Sequence, residues 1–240
     1  MQVTEYTSLL VIRSYLHSLE KLETEHIAIT EITTGALLDF LTGLTRSVLP
    51  FILQLDKGFL NSLFADNITL NPDTAHPNLS ISEDKKFTHE PQPQNVPPTP
   101  ERFDSTVCVL GSEGFSDGQH YWEVDVGSSN DWDLGVARKS IKRIGKLSLS
   151  PKEGFWALGF TGRDYWAKTD PWTWVMVPKN TQKIGVYLNY QDRQVTFFSV
   201  TDMSVLFTFN DCSFSGEIYP FFKNSHKETS MRICSLGKEE

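Results

Sequence analysis

HYWEVDV, residues 120–126, decides the fold class of this chain. Trp122, Val124 and Val126 fall on one face of an extended strand, and Tyr121, Glu123 and Asp125 on the other. That period of two is what a pleated strand imposes. Working outward, the same texture repeats in DLGVA, GFWALGF, KIGVYLNY, QVTFFSV, VLFTF and IYPFF. Each run is short and bounded by Gly, Asp, Asn, Ser or Pro, and NYQDR between two of them reads as a hairpin loop. No helical interval intervenes after Phe103, so the pattern predicts an antiparallel β-sandwich rather than alternating α/β layers. Aromatic residues make up 12% of the chain, with 6 Trp and 16 Phe, a supply that suits pleated, half-buried surfaces.

Upstream the texture changes. Leu9, Ile12, Leu16, Leu19 and Leu22 recur at three- and four-residue intervals, and Leu37, Leu38, Leu41, Leu44 and Val48 continue after Gly35. This is helical periodicity, and Pro50 ends or kinks it. Residues 1–66 are therefore expected to form a helical segment whose apolar stripe is covered by the following domain or, through self-association, by a partner helix. LNPDTAHPNLSIS then places turn residues between two brief extended pieces. Pro91, Pro93, Pro97, Pro98 and Pro100 make residues 91–101 an extended connector.

Several function classes are disfavoured by composition. A formal charge of −8 argues against a general nucleic-acid binder, which gains most of its affinity from neutralised phosphates. Cys108, Cys212 and Cys234 are few, odd in number and lack a CxxC pair. That usage points to a reducing, cytoplasmic setting, and the two within apolar runs read as small core residues. SVLPFILQL (residues 47–55) is about half the length a membrane-spanning helix needs, so no membrane span is expected.

Candidate chemistry is sparse. Asp131 and Asp133 flank Trp132 and could present paired carboxylates, as a glycosidase requires, but a solvated loop is the favoured reading. The histidines are dispersed, with no metal-ligand spacing and no HExxH, P-loop or GxGxxG. No catalytic residue, metal or cofactor is expected. RKSIKRIGK (residues 138–146) is the one concentrated basic segment; it reads as a solvated face more readily than as an RNA site. Trp122, Phe155, Trp156, Phe197, Phe198, Phe207, Phe209, Phe221 and Phe222 fall within strands and read as core. Trp132, Tyr165, Trp166, Trp172 and Trp174 fall in loop-like stretches, where aromatic side chains serve as anchors of protein-binding surfaces.

Read together, LNPDTAHPNLSISED (residues 70–84) resembles the PRY motif, and RFDSTVCVLGSEGFSDGQHYWEVDV (residues 102–126) resembles the start of SPRY. WDLGVARKSI, EGFWALGF, IGVYLNYQDRQVTFFSV and IYPFF continue it in the family's order. The resemblance is to the PRY-SPRY (B30.2-type) domain of tripartite-motif proteins, particularly the expanded fish-type members, lacking the RING and B-box. It implies a bent, concanavalin-like antiparallel β-sandwich over residues 67–240: PRY 67–90, the Pro-rich connector 91–101 and SPRY 102–236. LEKLETEHIAI and TGALLDFLTGL resemble the end of the family's coiled coil and its linker helix, which implies a coiled-coil remnant within residues 1–66. It also implies a non-enzymatic module that recognises a protein partner through loops on one face. On this sequence those loops carry Asn130, Asp131, Trp132, Thr161, Arg163, Tyr165, Trp166, Trp172, Asn224 and His226. In the family's antibody-binding member, tryptophans stand where this chain has Gly159 and Thr161, so antibody binding is not carried over. A lectin-like or carbohydrate-processing sandwich and an RNA-binding module are the two alternatives.

Overall fold

The computed structural model describes residues 65–179 and 181–235. The helical segment expected over residues 1–66 lies outside the described residues, apart from its last two. Over the described part the chain forms thirteen strands. β1 (Leu79–Ile81) and β2 (Lys86–His89) make a hairpin, β3 (Cys108–Leu110) follows the connector, and β4 (Gln119–Asp125) contains all of HYWEVDV but its last residue. β5 (Asp131–Arg138), β6 (Phe155–Thr161), β7 (Asp164–Ala167) and β8 (Thr173–Val175) come next. β9 (Lys183–Asn189), β10 (Gln194–Ser199), β11 (Ser204–Phe209), β12 (Ile218–Asn224) and β13 (Ser230–Ile233) complete the chain.

The strands divide into two antiparallel sheets. A seven-stranded sheet runs β1-β2-β13-β4-β9-β10-β11, and a six-stranded sheet runs β3-β12-β5-β6-β7-β8. Between them lies the main core, where Trp122 and Val124 of β4, Val186 and Leu188 of β9 and Phe197 of β10 belong to one cluster with Trp132, Leu134 and Val136 of β5, Trp156 and Leu158 of β6, and Phe222 of β12. Alternation explains this arrangement. Residues two apart on β5 and β6 all face inward, and their fully buried side chains fill the space between the sheets. The all-β sandwich expected from the sequence is the fold observed.

β5 departs from a half-solvated strand, because it is buried on both faces. On its outward side Ala137 joins a second, smaller core in which Phe103, Cys108, Leu110, Ile141, Leu149, Phe155 and Phe221 come together. Residues 139–150, without strand of their own, supply Ile141 and Leu149 to this cluster. The outer face of the six-stranded sheet is thus covered at one end. Its other end is where charged and aromatic side chains gather.

The basic segment is not a uniformly solvated face. Arg138 donates to the Ser213 carbonyl at 2.7 Å and lies over the Trp156 ring, and Lys139 pairs with Glu217 at 2.6 Å. Arg143 covers the Phe103 ring, and its side chain is only 10% exposed. Lys142 and Lys146 remain exposed, too few cations for a phosphate-tracking groove.

Candidate functional site

One register row crosses the six-stranded sheet. Cys108 stands opposite Lys223, Lys223 opposite Asp133, Asp133 opposite Gly159, Gly159 opposite Trp166, and Trp166 opposite Trp174. Residues directly opposite in an antiparallel ladder share a face, so this row lies on the outer side of the sheet. Asp133 is its centre. Its Oδ2 accepts from Lys223 Nζ at 2.6 Å, and its Oδ1 lies 3.1 Å from Lys168 Nζ. The second contact is an ion pair without hydrogen-bond alignment. The Asp133 and Lys168 side chains are 4% and 2% exposed, so this is a buried charge cluster and not the solvated loop expected for the Asp131–Asp133 stretch.

Lys223 also reaches Asp131 Oδ1 at 3.5 Å. Burial alone would lower the Lys223 pKa, but the Asp133 and Asp131 carboxylates outweigh it and hold the ammonium above its ordinary value. Lys168 is capped on its other side by the Trp172 ring, 3.4 Å from the ammonium to the ring centroid. Gly159 makes the arrangement possible. A Cβ at this position would sit 2.0 Å from Asp133 Oδ1 and 2.7 Å from Lys168 Cε.

Around this row the loops are laced by their own polar groups. The Gly162 N–H donates to the Asn130 carbonyl at 2.6 Å, and the Ser225 N–H to the Asp131 carbonyl at 2.8 Å. The Asn130 N–H donates to His226 Nδ1 at 3.1 Å, which leaves Nε2 as the protonated nitrogen of a neutral ring. Asn130, Asp131, Thr161, Arg163 and His226 are thereby gathered at one end of the sheet, with Trp166 one strand further in. Trp172 stands apart, beyond Lys168 and beside the 139–150 segment, where its indole N–H approaches the Leu149 carbonyl at 3.4 Å.

Two expected site positions, Trp132 and Asn224, are buried and need correction. Trp132 is 1% exposed and faces the inter-sheet core, set edge-on to Tyr165 at 5.8 Å between ring centroids. The polar run GSSND before it suggested a loop, but β5 begins at Asp131 and turns Trp132 inward. Asn224 is fully buried: its Nδ2 donates to the Thr229 carbonyl at 2.9 Å and its Oδ1 accepts from Ser129 Oγ at 2.9 Å. It is the clasp of the 224–229 loop, not a contact residue. Tyr165 is half-buried and packs on Phe160, 4.6 Å between centroids, and burial raises its phenol pKa. With Trp132, Phe160, Ser129, Lys179 and Thr181 it lines a shallow pocket of about 380 Å³. Lys168, Lys223 and Met176 were missed. WTWVM, with its large apolar residues at 172, 174 and 176, carried a period-two signal that the flanking prolines obscured.

The comparisons with known proteins agree with this architecture. Residues 119–236 match the family model of the SPRY domain, and residues 68–115 match that of the SPRY-associated domain, PRY. The chain is a PRY-SPRY, or B30.2, domain protein. It is 43% identical over 162 residues to butyrophilin subfamily 1 member A1 of Bos taurus, covering 67% of this chain and 31% of that one. Zinc finger protein RFP of Homo sapiens is 39% identical over 166 residues, covering 68% and 32%. The solved TRIM65 PSpry domain shares the fold with a TM-score of 0.65 at 22% identity, covering 74% of this chain and 94% of that one. The chain spans about a third of the length of these two curated relatives. SPRY domains are protein-interaction modules, and among the described residues no helix is long and apolar enough to cross a membrane.

Proposed function

We propose that this chain recognises a partner protein through the outer face of its six-stranded sheet, at the end where the 127–131, 161–163 and 224–229 loops are laced together. The observation that carries this reading is the row Lys223–Asp133–Gly159–Trp166, which places a fixed charge cluster beside a half-buried indole. Interfaces concentrate binding energy in a few aromatic and charged anchors held on a rigid frame. Trp166 is the aromatic anchor. Asp131, Arg163 and His226 form the polar rim, with Asn130 and Thr161 adding backbone and hydroxyl groups. The likeness to tripartite-motif proteins points to a partner in innate immunity or ubiquitin-pathway targeting, and to a cytoplasmic setting.

A carbohydrate-processing role is not supported by this geometry. Asp133 is enclosed by two ammonium groups and is almost inaccessible, so Asp131 and Asp133 do not offer the pair of free carboxylates such chemistry uses. The test is capture of partner proteins by the full chain and by its Trp166→Ala and Arg163→Ala variants. Capture should fall in both variants while the melting temperature moves by no more than a few degrees. A Trp166→Ala variant that melts far below the wild type would place this indole in the core and remove the proposed anchor.

A further inference from the structure

β8 ends the six-stranded sheet, and the register tells which of its backbone groups are free. The Lys168 N–H donates to the Ala157 carbonyl at 2.8 Å, which makes these two a hydrogen-bonded pair. Alternation then makes Trp166–Gly159 the next bonded pair on β7 and turns the backbone groups of Tyr165 and Ala167 toward β8. Their partners there are Val175 and Thr173. The Trp172 C=O, both backbone groups of Trp174 and the Met176 N–H therefore point away from the sheet, and among the described residues no backbone group bonds to them.

The same three residues carry the largest exposed apolar side chains of this region, at 50%, 57% and 78% exposure. Edge strands are normally blunted by lysine, proline or a bulge. Here residues 172–177, WTWVMV, contain none of the charges or prolines that would do so. By contrast, the opposite edge strand β3 is fully buried. Backbone groups and apolar side chains are thus offered along one line.

The line is complementary to itself. When two copies run antiparallel with Trp174 opposite Trp174, Trp172 falls opposite Met176 and Thr173 opposite Val175. The bounding residues are exposed and of opposite sign, Asp170 before the strand and Lys179 after it. Antiparallel pairing brings Asp170 of one copy beside Lys179 of the other at both ends. Parallel pairing would instead bring like charges together at both ends. We propose that two copies of this chain associate through β8 about a two-fold at Trp174, joining their six-stranded sheets into one. This goes beyond the partner-binding reading: Trp166 is the cross-strand neighbour of Trp174, but Asp131, Arg163 and His226 stay clear of the paired edge.

An edge contact of this length belongs to the small, weak class of interfaces, so the full chain is examined at roughly 100 µM. Sedimentation should show association that Trp174→Lys weakens by about tenfold or more, with the melting temperature unchanged. Register is tested with two further variants, Trp172→Cys and Met176→Cys, mixed and then oxidised. Paired residues on neighbouring strands stand about 5.5 Å apart at Cα, within reach of a disulfide. The mixture should give a disulfide dimer, and each variant alone should not, because like residues are four positions apart across the two-fold. The wild-type chain, with Cys108 and Cys212 buried, supplies the background. Sedimentation unaffected by Trp174→Lys, or crosslinking no greater in the mixture than in either variant alone, would overturn the pairing. A monomeric chain whose Trp174→Lys variant loses capture of a foreign partner would overturn it too, and would give the edge to that partner.

Discussion

Among the described residues the Asp133 carboxylate is the one anion paired with the Lys168 ammonium, which has the Trp172 ring on its other side. Asp133→Ala removes that charge and leaves Lys168 buried and uncompensated, a loss of about 3–5 kcal/mol in comparable sites. For a domain of this size that corresponds to a fall in melting temperature of roughly 10 °C. Gly159→Ala should lower it as well, since the new Cβ overlaps the space of Asp133 Oδ1. A melting curve unmoved by either change would mean that the cluster is dispensable. His120 gives a prediction in pH. Burial lowers its pKa, but the Asp66 carboxylate at 3.1 Å and the Asp117 carbonyl at 2.8 Å outweigh burial and hold it above the ordinary value. Folding therefore favours the protonated ring. Its contribution is complete below about pH 6.5 and disappears as pH rises through the raised folded value. The stability advantage of the wild type over His120→Gln should be largest near pH 6 and shrink towards pH 9. A constant difference across that range would remove the Asp66 clasp from the account.

At the scale of elements, the loops that frame the proposed site are ordered by specific bonds. Asn224→Ala removes two buried hydrogen bonds, one from Ser129 Oγ and one to the Thr229 carbonyl, each contributing about 0.5–1.5 kcal/mol. His226→Ala removes only an acceptor for the Asn130 N–H at the surface. Hydrogen exchange should therefore speed up across residues 224–229 in the first variant. In the second it should quicken at the Asn130 amide alone, with stability within about 0.5 kcal/mol of wild type. Equal effects would mean that the two residues do the same job. Strands with clean alternation were legible in the sequence, as at β4, β9 and β10, because one face had to be apolar. β7 and β8 were not: Gly162, Asp164, Asp170 and Pro171 are turn formers, and they made TGRDYWAKTDPWTW read as one loop. Only the pairing of Tyr165 with Val175 and Trp166 with Trp174 shows that the same aromatics alternate between core and surface.

Across the whole molecule, what could not be read was charge burial. A sequence shows that Asp133, Lys168 and Lys223 exist, but their meeting depends on β5, β6, β7 and β12 lying side by side, positions 90 residues apart for Asp133 and Lys223. The cysteines measure whether this assembly opens as one unit. Cys108 lies on β3 at an edge of the six-stranded sheet, and Cys212 follows β11 at an edge of the seven-stranded sheet. Both are buried, and burial raises both thiols, Cys212 to about 12. The reactive thiolate is thus scarce as well as shielded in the native state. Cys234, half-buried, should react first with a thiol reagent under native conditions, and the other two only through opening of the fold. If the sheets separate cooperatively, Cys108 and Cys212 should label at equal rates, and urea should accelerate both with the same dependence. Mass spectrometry over the labelling course resolves the two. Labelling of Cys108 well ahead of Cys212 would show that β3 frays from its edge while the rest of the sandwich stays closed.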